Sequence, residues 1–567
     1  MYENPLMKKK IFLFVTEFLC GIALMGVETA ANRLLAPYFS SSQVVWTIII
    51  GAILIAMAIG NYLGGRLADK VKDVTLLYTL MLAAGAYICL IPFVGRYIIA
   101  GITAIFALIV NSGLIIWSTI FVCIILFMPP LVILGMVTPS LIKYTMGKEA
   151  SGKIVGILES LNTVGSIIGT FIPIFITIPT MGTSYTFALF GGLICLISII
   201  FILTGFIHNN KMRKQEAFSS DSENNENSGK LQKFSIKKYV LSLVASTFAI
   251  AGIVLSSFSS FVFWNDKEVI YEDESIYNYL QVKEDKYAYY FSTNVLFTVQ
   301  SMIKKDMSLT GMYYDYCLSA TYMANIDIKQ DFNVLVLGNG TGTYATLLKH
   351  HVPYNTNITG VEIDQKIIDL SYQYFMMPDD VYVVCDDGRN FLNLNQDKYD
   401  LIMVDAYSSI STPFAMSTVE FFSSVKDHLK DDGVMVMNIN MYDTQAYSLD
   451  LALCDTVCDS FSNVIKFQVP GASGDEVFAS NNPEMLANLE RGIENCENSS
   501  LKGVMRSVSF NHKVHIDTGI RLLDDNSDVE LRSMNSIDGI IEENLAFYRR
   551  IYQERGLKGL IDYLLGQ

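Results

Sequence analysis

The pattern of hydrophobic positions divides the chain into two parts. Between residues 11 and 262, apolar runs recur that are each close to the ~20 residues needed to cross a bilayer core as a helix. The predicted spans are residues 11–31, 44–63, 76–94, 114–137, 154–178, 185–207 and 239–262. A shorter apolar stretch, 97–110, is either an eighth span or a re-entrant segment. The pattern predicts a multi-pass α-helical membrane domain at residues 1–264, with a polar linker at 208–238.

The pattern changes after residue 264. Alternating apolar and polar positions at 269–282 and 288–297 predict hairpins, and hence a small N-terminal β-region at residues 265–330. Beyond it, short apolar runs alternate with helical patterns, which predicts an α/β doubly wound nucleotide-binding domain at residues 331–567. Its predicted strands are 334–337, 358–363, 381–384, 401–404 and 434–438, and its predicted helices are 344–350, 420–428 and 541–564. Residues 431–433 read as the turn before the last strand.

Charge follows the same division. Residues before Trp264 carry a net charge of +7 and the rest carry −22, within a total of −15. A basic apolar part joined to an acidic part indicates a membrane domain fused to a soluble one. We expect the acidic part to attract polyamines or other small amines and not nucleic acid. The lipid bilayer is the other predicted partner, and a homo-oligomer is compatible with the sequence. The nine cysteines show no ligand spacing, so no metal site is predicted.

Polar residues follow four predicted strands of the α/β part. The first strand leads into the turn Gly338-Asn339-Gly340-Thr341-Gly342, where glycines let the backbone approach a ligand closely. Glu362 ends the second strand, 20 residues past Gly342, where an acid suits the hydroxyls of a ribose. Asp386-Asp387-Gly388 follow the third strand and Asp405 follows the fourth. Together they predict a nucleotide site at the carboxyl edge of the sheet.

This ordered set resembles the spermidine synthases, or polyamine aminopropyltransferases, which share the fold of S-adenosylmethionine methyltransferases. The resemblance is carried by residues 337–342, 361–364, 387–388 and 399–407, and it covers roughly residues 270 to 530. Residues 136–140 and 162–166 are similar to stretches of membrane-fused spermidine synthases. The resemblance implies a methyltransferase-like fold and a reaction with an adenosyl sulfonium co-substrate. That co-substrate is decarboxylated S-adenosylmethionine or S-adenosylmethionine itself, and no tightly bound cofactor is expected.

The resemblance also implies roles for individual residues. Asp405 matches the family's proton acceptor and is the predicted catalytic residue. The predicted substrate-binding residues are Tyr314, Gln300 and Tyr407. The predicted donor-binding residues are Asn278, Gly338, Gly340, Thr341, Gly342, Glu362, Asp364, Asp387 and Gly388. Among these, Glu362 matches the ribose-binding acid, Asp387-Gly388 the adenine contact, and Asn278 a glutamine near the sulfur end of the nucleotide.

The departures from the family lie on the substrate side. Thr341 stands where the family has an Asp that holds the amine, and Ser408 replaces a further Asp. Leu309-Thr310 replace an acidic pair before the sheet, and Tyr313-Tyr314-Asp315 stand for Tyr-His-Glu. The ring faces of Tyr313, Tyr314 and Tyr407 can hold a cation instead, for ~0.5–2 kcal/mol.

Three functions fit these features. The leading one is a membrane-anchored, spermidine synthase-like enzyme that moves an aminopropyl group from decarboxylated S-adenosylmethionine to a polyamine. The second is an S-adenosylmethionine-dependent methyltransferase, which Thr341 favours. The third is a transporter whose soluble domain senses a nucleotide or polyamine, which the charged residues Glu17, Glu28 and Arg33 within or at the end of the first span favour.

Basic clusters bear on the membrane topology. The lysines before the first span and the clusters at 66–72, 143–153 and 211–238 favour the cytoplasmic side. Seven spans satisfy all of them but place the α/β domain outside. Eight spans, counting 97–110, place that domain in the cytosol but put two basic loops outside. Because a nucleotide-using domain needs its nucleotide, we expect a multi-pass cell-membrane protein with a cytosolic α/β domain.

Overall fold

The chain forms two compact units in a computed structural model. The first comprises Met1–Phe106 and Ile115–Asn265, and the second comprises Ala107–Leu114 and Asp266–Gln567. The structure describes residues 4–70, 74–146, 152–219, 244, 246–255, 261, 268–295, 299–324, 331–406, 412–439, 448–471 and 474–564. The division after Asn265 lies next to the predicted end of the membrane domain at residue 264.

The first unit is helical. Its described helices are α1 (Lys10–Phe39), α2 (Gln43–Lys70), α3 (Thr75–Ile109), α4 (Leu114–Val122), α5 (Met128–Gly135), α6 (Val137–Met146), α7 (Gly152–Ile172), α8 (Ile178–Ser219) and α9 (Ser246–Leu255). Turns of π-helix at Cys123–Phe127 and Pro173–Thr177 join α4 to α5 and α7 to α8. Five helical stretches among the described residues are long and apolar enough to cross a membrane. They are Lys10–Phe39, Gln43–Lys70, Thr75–Ile109, Leu114–Met146 and Gly152–Met212.

Three expectations about this unit change. The apolar stretch 97–110 is not a separate span, because α3 runs through it as far as Ile109 as one helix that contains Pro92. The eight-span topology, on which the cytosolic placement of the α/β domain depended, therefore loses its extra span. The predicted spans 154–178 and 185–207 lie on either side of a kink at Gly182, whose φ is 79°. The predicted linker 208–238 begins inside α8, which continues to Ser219; its remainder lies outside the described residues.

Glycines bring α1 and α7 into close contact. A Cβ atom at Gly21 of α1 would collide with the backbone of α7, and one at Gly165 or Gly169 of α7 would collide with the backbone of α1. Small residues at such positions let helices pack closely where no hydrophobic driving force between them is available. The contact fixes the inner face of α1 against α7.

The second unit contains a small antiparallel sheet near its start. Its strands are β1 (Val269–Glu274), β2 (Tyr279–Glu284), β3 (Ala288–Ser292) and β4 (Ser301–Lys304), in the order β1-β2-β3-β4. The strands confirm the predicted hairpins. The turn between β1 and β2 is closed by a hydrogen bond from the amide of Ser275 to the carbonyl of Asn278, 2.8 Å long.

The large sheet of the second unit is mostly parallel. Its strands are β5 (Asp331–Leu337), β6 (Asn355–Glu362), β7 (Tyr382–Cys385), β8 (Tyr399–Val404), β9 (Leu429–Ile439), β10 (Asn463–Gln468), β11 (Asp475–Ser480) and β12 (Lys513–Val514). The strand order is β12-β10-β11-β9-β8-β5-β6-β7. Strand β11 pairs antiparallel with β9 and with β10, and β10 pairs antiparallel with β12. The order reverses on either side of β5, which confirms the doubly wound fold and puts a ligand crevice at the carboxyl ends of β5, β6 and β8.

Helices cover this sheet and hold its central strands in the core. They are α10 (Tyr313–Cys317), α11 (Ala320–Met323), α12 (Thr343–His351), α13 (Gln365–Tyr374), α14 (Gly388–Leu394), α15 (Val419–Asp427), α16 (Leu449–Val457), α17 (Met485–Asn495), α18 (Ser499–Asn511) and α19 (Val529–Leu564). Every residue of β8 is buried, as an apolar run in a central parallel strand predicts. One face of the sheet packs against α10, α11, α12, α17 and α18.

One predicted turn is wrong. Residues 431–433 lie inside β9, because Leu429 pairs with Tyr399 while Val434 pairs with Leu401. The intervening residues bulge from the ladder, so β9 starts earlier than its apolar run suggests. Polar residues in such a bulge look like a turn in the sequence.

Candidate active site

The turn after β5 holds three glycines in the left-handed conformation. Gly338, Gly340 and Gly342 have φ values of 81°, 52° and 72°, which side chains rarely tolerate. At Gly338 a side chain would also collide with the backbone of Asp405. The amides of Gly338 and Asn339 both donate to the carbonyl of Val361 at 2.9 Å, which ties the turn to β6.

Glu362, at the end of β6, is buried and fixes the same turn. One carboxylate oxygen accepts the amide of Gly340 at 2.8 Å, and the other accepts the amide of Asp364 at 3.1 Å. Burial raises the pKa of Glu362 to about 7, although the two backbone hydrogen bonds act in the opposite direction. Each carboxylate oxygen keeps a second lone pair that can accept from a hydroxyl. The residue can therefore hold the turn and bind a ribose at once.

Asp364 joins the α/β sheet to the small β-region. Its side chain caps the N-terminus of α13 by accepting the amide of Lys366 at 3.1 Å, and it also accepts the hydroxyl of Ser275. The amide group of Asn278 lies 3.5 Å from the same carboxylate. Burial raises the pKa of Asp364 above its usual value. Two predicted donor-binding residues, Asn278 and Asp364, thus meet although 86 positions separate them.

Asp387 and Gly388 begin α14 at the end of β7. The exposed carboxylate of Asp387 caps the helix by accepting the amides of Arg389 and Asn390 at 3.0 and 2.9 Å. The Arg389 guanidinium pairs with Asp524 at 2.8 and 2.5 Å. Asp524 belongs to the acidic segment 522–530, for which the sequence indicates no role. In the structure this segment holds α14 in place beside the predicted adenine contact.

Asp405 follows β8 at the same edge of the sheet, next to the end of β5, where its amide donates to the carbonyl of Leu337 at 2.9 Å. Its carboxylate accepts the hydroxyl of Tyr313 at 2.5 Å and the side-chain amide of Asn438 at 2.8 Å. Burial is the largest effect on Asp405 and raises its pKa to about 6, while the hydrogen bonds from Tyr313 and Asn438 lower it. The group is therefore a stronger base than an exposed aspartate, and neutral donors hold its ionised form in one orientation.

A second buried acid, Glu476, lies close to Asp405. Residues directly opposite across a strand pair point to the same face, and Glu476 of β11 is opposite Asn438 of β9. The thiol of Cys317 donates to one oxygen of Glu476 at 3.0 Å, and the other oxygen has no hydrogen-bond partner among the described residues. Burial, with a further contribution from Asp405, holds the pKa of Glu476 well above its usual range. Two acids and no cation therefore lie on this side of the candidate site, as far as the described residues show.

Several predicted site residues form their hydrogen bonds with groups other than Asp405. The hydroxyl of Tyr314 accepts the amide of Met302 and donates to its carbonyl, so both bonds go to β4. The Gln300 side chain holds the backbone and hydroxyl of Thr293, each at 2.5 Å. Thr341 is buried, and its hydroxyl lies 3.2 Å from that of Thr343. Tyr407 lies outside the described residues.

The chain is similar to known proteins. Residues 319–473 match the family model described as the Spermine/spermidine synthase domain. A probable polyamine aminopropyl transferase from Bifidobacterium longum (strain NCC 2705) is 41% identical over 365 residues, which are 61% of this chain and 80% of that protein. The chain belongs to the polyamine aminopropyltransferase family. The prediction of an enzyme of this kind is thereby confirmed.

Other aminopropyltransferases match a smaller part of the chain. The polyamine aminopropyltransferase of Clostridium beijerinckii (strain ATCC 51743 / NCIMB 8052) is 30% identical over 164 residues, which are 28% of this chain and 55% of that protein. Among solved structures, a probable spermidine synthase from Corynebacterium glutamicum ATCC 13032 is 17% identical, with a TM-score of 0.36. The match covers 97% of that structure's chain and 47% of this chain.

The sequence does not predict three contacts of the candidate site. The ring face of Tyr313 is predicted to hold a cation, but its hydroxyl contact with Asp405 is not predicted, and neither Asn438 nor Glu476 is a predicted site residue. A signal for the last two is present in the sequence, because each is a polar residue next to an apolar run within a buried strand. Burial of such a residue is unfavourable unless it is hydrogen-bonded, so a polar residue beside an apolar run indicates a candidate site.

Proposed function

We propose that the chain is a membrane-anchored transferase that moves an aminopropyl group from decarboxylated S-adenosylmethionine to a polyamine acceptor. The observation that carries the proposal is the Asp405 carboxylate, held by Tyr313 and Asn438 at the sheet edge that also carries Glu362 and the glycine turn. An acid placed beside a nucleotide site can act as a base on an amine that attacks the bound donor.

The reaction forms a C–N bond and breaks a C–S bond. The lone pair of the acceptor nitrogen attacks the carbon next to the sulfonium, and the C–S electrons leave with sulfur as neutral methylthioadenosine. The nitrogen then carries one proton too many, which Asp405 accepts. A pKa of about 6 brings this base nearer to the ~10 of an amine than the ~3.9 of an exposed aspartate. Holding both reactants in line supplies much of the remaining acceleration.

The donor would occupy the side of the crevice formed by β5, β6 and β7. In this proposal Glu362 binds the ribose, and Asp387 with Gly388 contacts the adenine. Asn278 and Asp364 lie where the small β-region meets the sheet, and they face the sulfur end of the donor. Gly340 of the glycine turn leaves space for the adenosyl group, because a Cβ atom there would have only the Ser301 hydroxyl nearby, at 3.9 Å.

Glu476 would complete the acceptor side. The family's acids are replaced at Leu309, Thr310, Thr341 and Ser408, so the cationic acceptor needs another counter-charge. Glu476 supplies one, two strands away from Asp405, with Asn438 between them. Burial raises the pKa of Glu476 and so favours its protonated form while no cation is near. An ammonium group beside it favours the ionised form, so binding of the acceptor would release that proton.

The helical unit would anchor the enzyme in the cell membrane. Its five long apolar stretches match a bilayer in length and composition. With residues 97–110 inside α3, the cytosolic position of the α/β unit rests on the donor alone, because the donor is a cytosolic metabolite. Protease treatment of intact cells tests that position. Loss of the C-terminus from outside would place the α/β unit on the outer face.

A donor comparison tests the proposed reaction. The purified full-length chain is incubated with a diamine and either decarboxylated or unaltered S-adenosylmethionine. We expect methylthioadenosine and an extended polyamine from the decarboxylated donor only. S-adenosylhomocysteine from the unaltered donor would instead identify a methyltransferase, the function that Thr341 favours. If neither product forms, the proposal fails.

A further inference from the structure

The first unit contains a buried acid that the proposed reaction does not use. Glu17 lies near the start of α1, and its side chain has no solvent exposure. The hydroxyl of Thr138 donates to Glu17 Oε1 at 2.5 Å, and the side-chain amide of Asn162 donates to the same oxygen at 2.8 Å. Three helices, α1, α6 and α7, thus meet at one carboxylate oxygen.

The second oxygen of this carboxylate is different. Glu17 Oε2 is buried and has no hydrogen-bond partner among the described residues. The ionisable groups that act on Glu17 from the helices around it are Cys20 of α1, Tyr78 of α3 and Glu159 of α7. All three are neutral or acidic, so none of them offsets its charge. An unpaired ionised carboxylate in apolar surroundings is strongly unfavourable, and it takes up a proton or another cation.

The two residues that bond Glu17 come from helices that pack beside α1. The α5 helix ends at Gly135 and α6 begins at Val137, so Thr138 stands in the first turn of α6. Met136 between them keeps right-handed helical angles, and Leu114–Met146 forms one helical stretch. The close α1–α7 contact through Gly21 and Gly165 keeps Asn162 against Glu17.

We propose that Glu17 is the anionic ligand of a cation site inside the helical unit. The cation is either a proton, which forms an O–H bond with Oε2 and neutralises the carboxylate, or the ammonium group of an amine, which donates a hydrogen bond to Oε2. Thr138 and Asn162 hold Oε1 and orient the carboxylate. The site is independent of the transferase reaction, since it involves no residue of the second unit.

The test measures the protonation of Glu17 in the full-length chain in lipid nanodiscs. Infrared spectra report the carbonyl band of a protonated carboxyl, and dicyclohexylcarbodiimide followed by mass spectrometry reports its reactivity. The variant is Glu17→Gln, which keeps an oxygen for Thr138 and Asn162 but cannot ionise. The matched control is Glu28→Gln, on the same helix and only partly buried. The probe for an amine is 1,4-diaminobutane.

Both sources of the cation predict a distinct result. If the cation is a proton, the wild-type protein shows a carboxyl band that disappears as the pH rises and does not change when the diamine is added. The same band is absent from Glu17→Gln and present in Glu28→Gln. For an ammonium, the diamine abolishes the band and protects Glu17 from the carbodiimide at constant pH. A spectrum of Glu17 that responds neither to pH nor to the diamine would overturn the proposal, because the residue would then only join helices.

Discussion

The donor and acceptor sides of the candidate site hold their carboxylates in different ways. Glu362, on the donor side, accepts two backbone amides from the turn and strand end next to it. Asp405, on the acceptor side, accepts two side-chain donors, Tyr313 from a helix before the sheet and Asn438 from the next strand. The donor side is therefore built from the local chain. The acceptor side depends on residues that only the tertiary fold brings together, and it can change its specificity while the donor side stays constant.

Removing the charge of Asp405 is expected to have the largest effect. Asp405→Asn cannot accept the proton of the attacking amine, so turnover should fall by ~10²–10⁴. Donor binding should barely change, because Glu362 and Asp387 hold the donor in our proposal. Single-turnover kinetics and calorimetric donor binding measure the two quantities. Asp427→Asn, at an exposed acid of α15 in the same unit, is the matched control. An equal loss of donor affinity and turnover would make Asp405 a nucleotide ligand.

The same contrast explains what the sequence could predict. The glycine turn, Glu362 and Asp387 are visible because glycine spacing and strand-end acids are local patterns. The doubly wound sheet follows from its alternating apolar runs. The hydrogen bond from Tyr313 to Asp405 joins residues that are 92 positions apart. No local pattern in the sequence specifies that pair. The continuity of α3 beyond residue 94 is also not predicted, because Gly95-Arg96 separates two apolar runs in the sequence.

The donor side should respond most strongly to Glu362. In Glu362→Gln the side-chain amide replaces one of the two oxygens, so the backbone amide of Gly340 or Asp364 loses its acceptor. Hydrogen bonds to charged groups contribute about 1.5–3 kcal/mol, so donor affinity should fall roughly 10- to 100-fold. Calorimetry with methylthioadenosine measures the change, and far-ultraviolet circular dichroism verifies the fold. Unchanged affinity would move the donor away from this crevice.

A substitution at Glu476 is expected to affect the acceptor side and not the donor side, and only for some acceptors. Glu476→Gln removes the counter-charge for the second ammonium of a diamine, so the KM for a diamine should rise by about tenfold. The KM for a monoamine and the affinity for the donor should stay the same, since neither needs this charge. Glu484→Gln, at an exposed acid on the same unit, is the control. An equal rise for monoamine and diamine would show that Glu476 supports the sheet and does not select the acceptor.

Tyr313 is expected to affect activity by lowering the pKa of Asp405. Its substitution should therefore change activity least at high pH. Only ionised Asp405 accepts a proton, so kcat/KM should fall as the pH drops through its pKa of about 6. The Tyr313 hydroxyl lowers that pKa by donating to the carboxylate. Tyr313→Phe should therefore move the acid limb of the pH profile upward by about one unit. Activity should be several-fold lower near neutrality and recover at alkaline pH. A loss that is uniform across the pH range would mean that Tyr313 binds the acceptor itself.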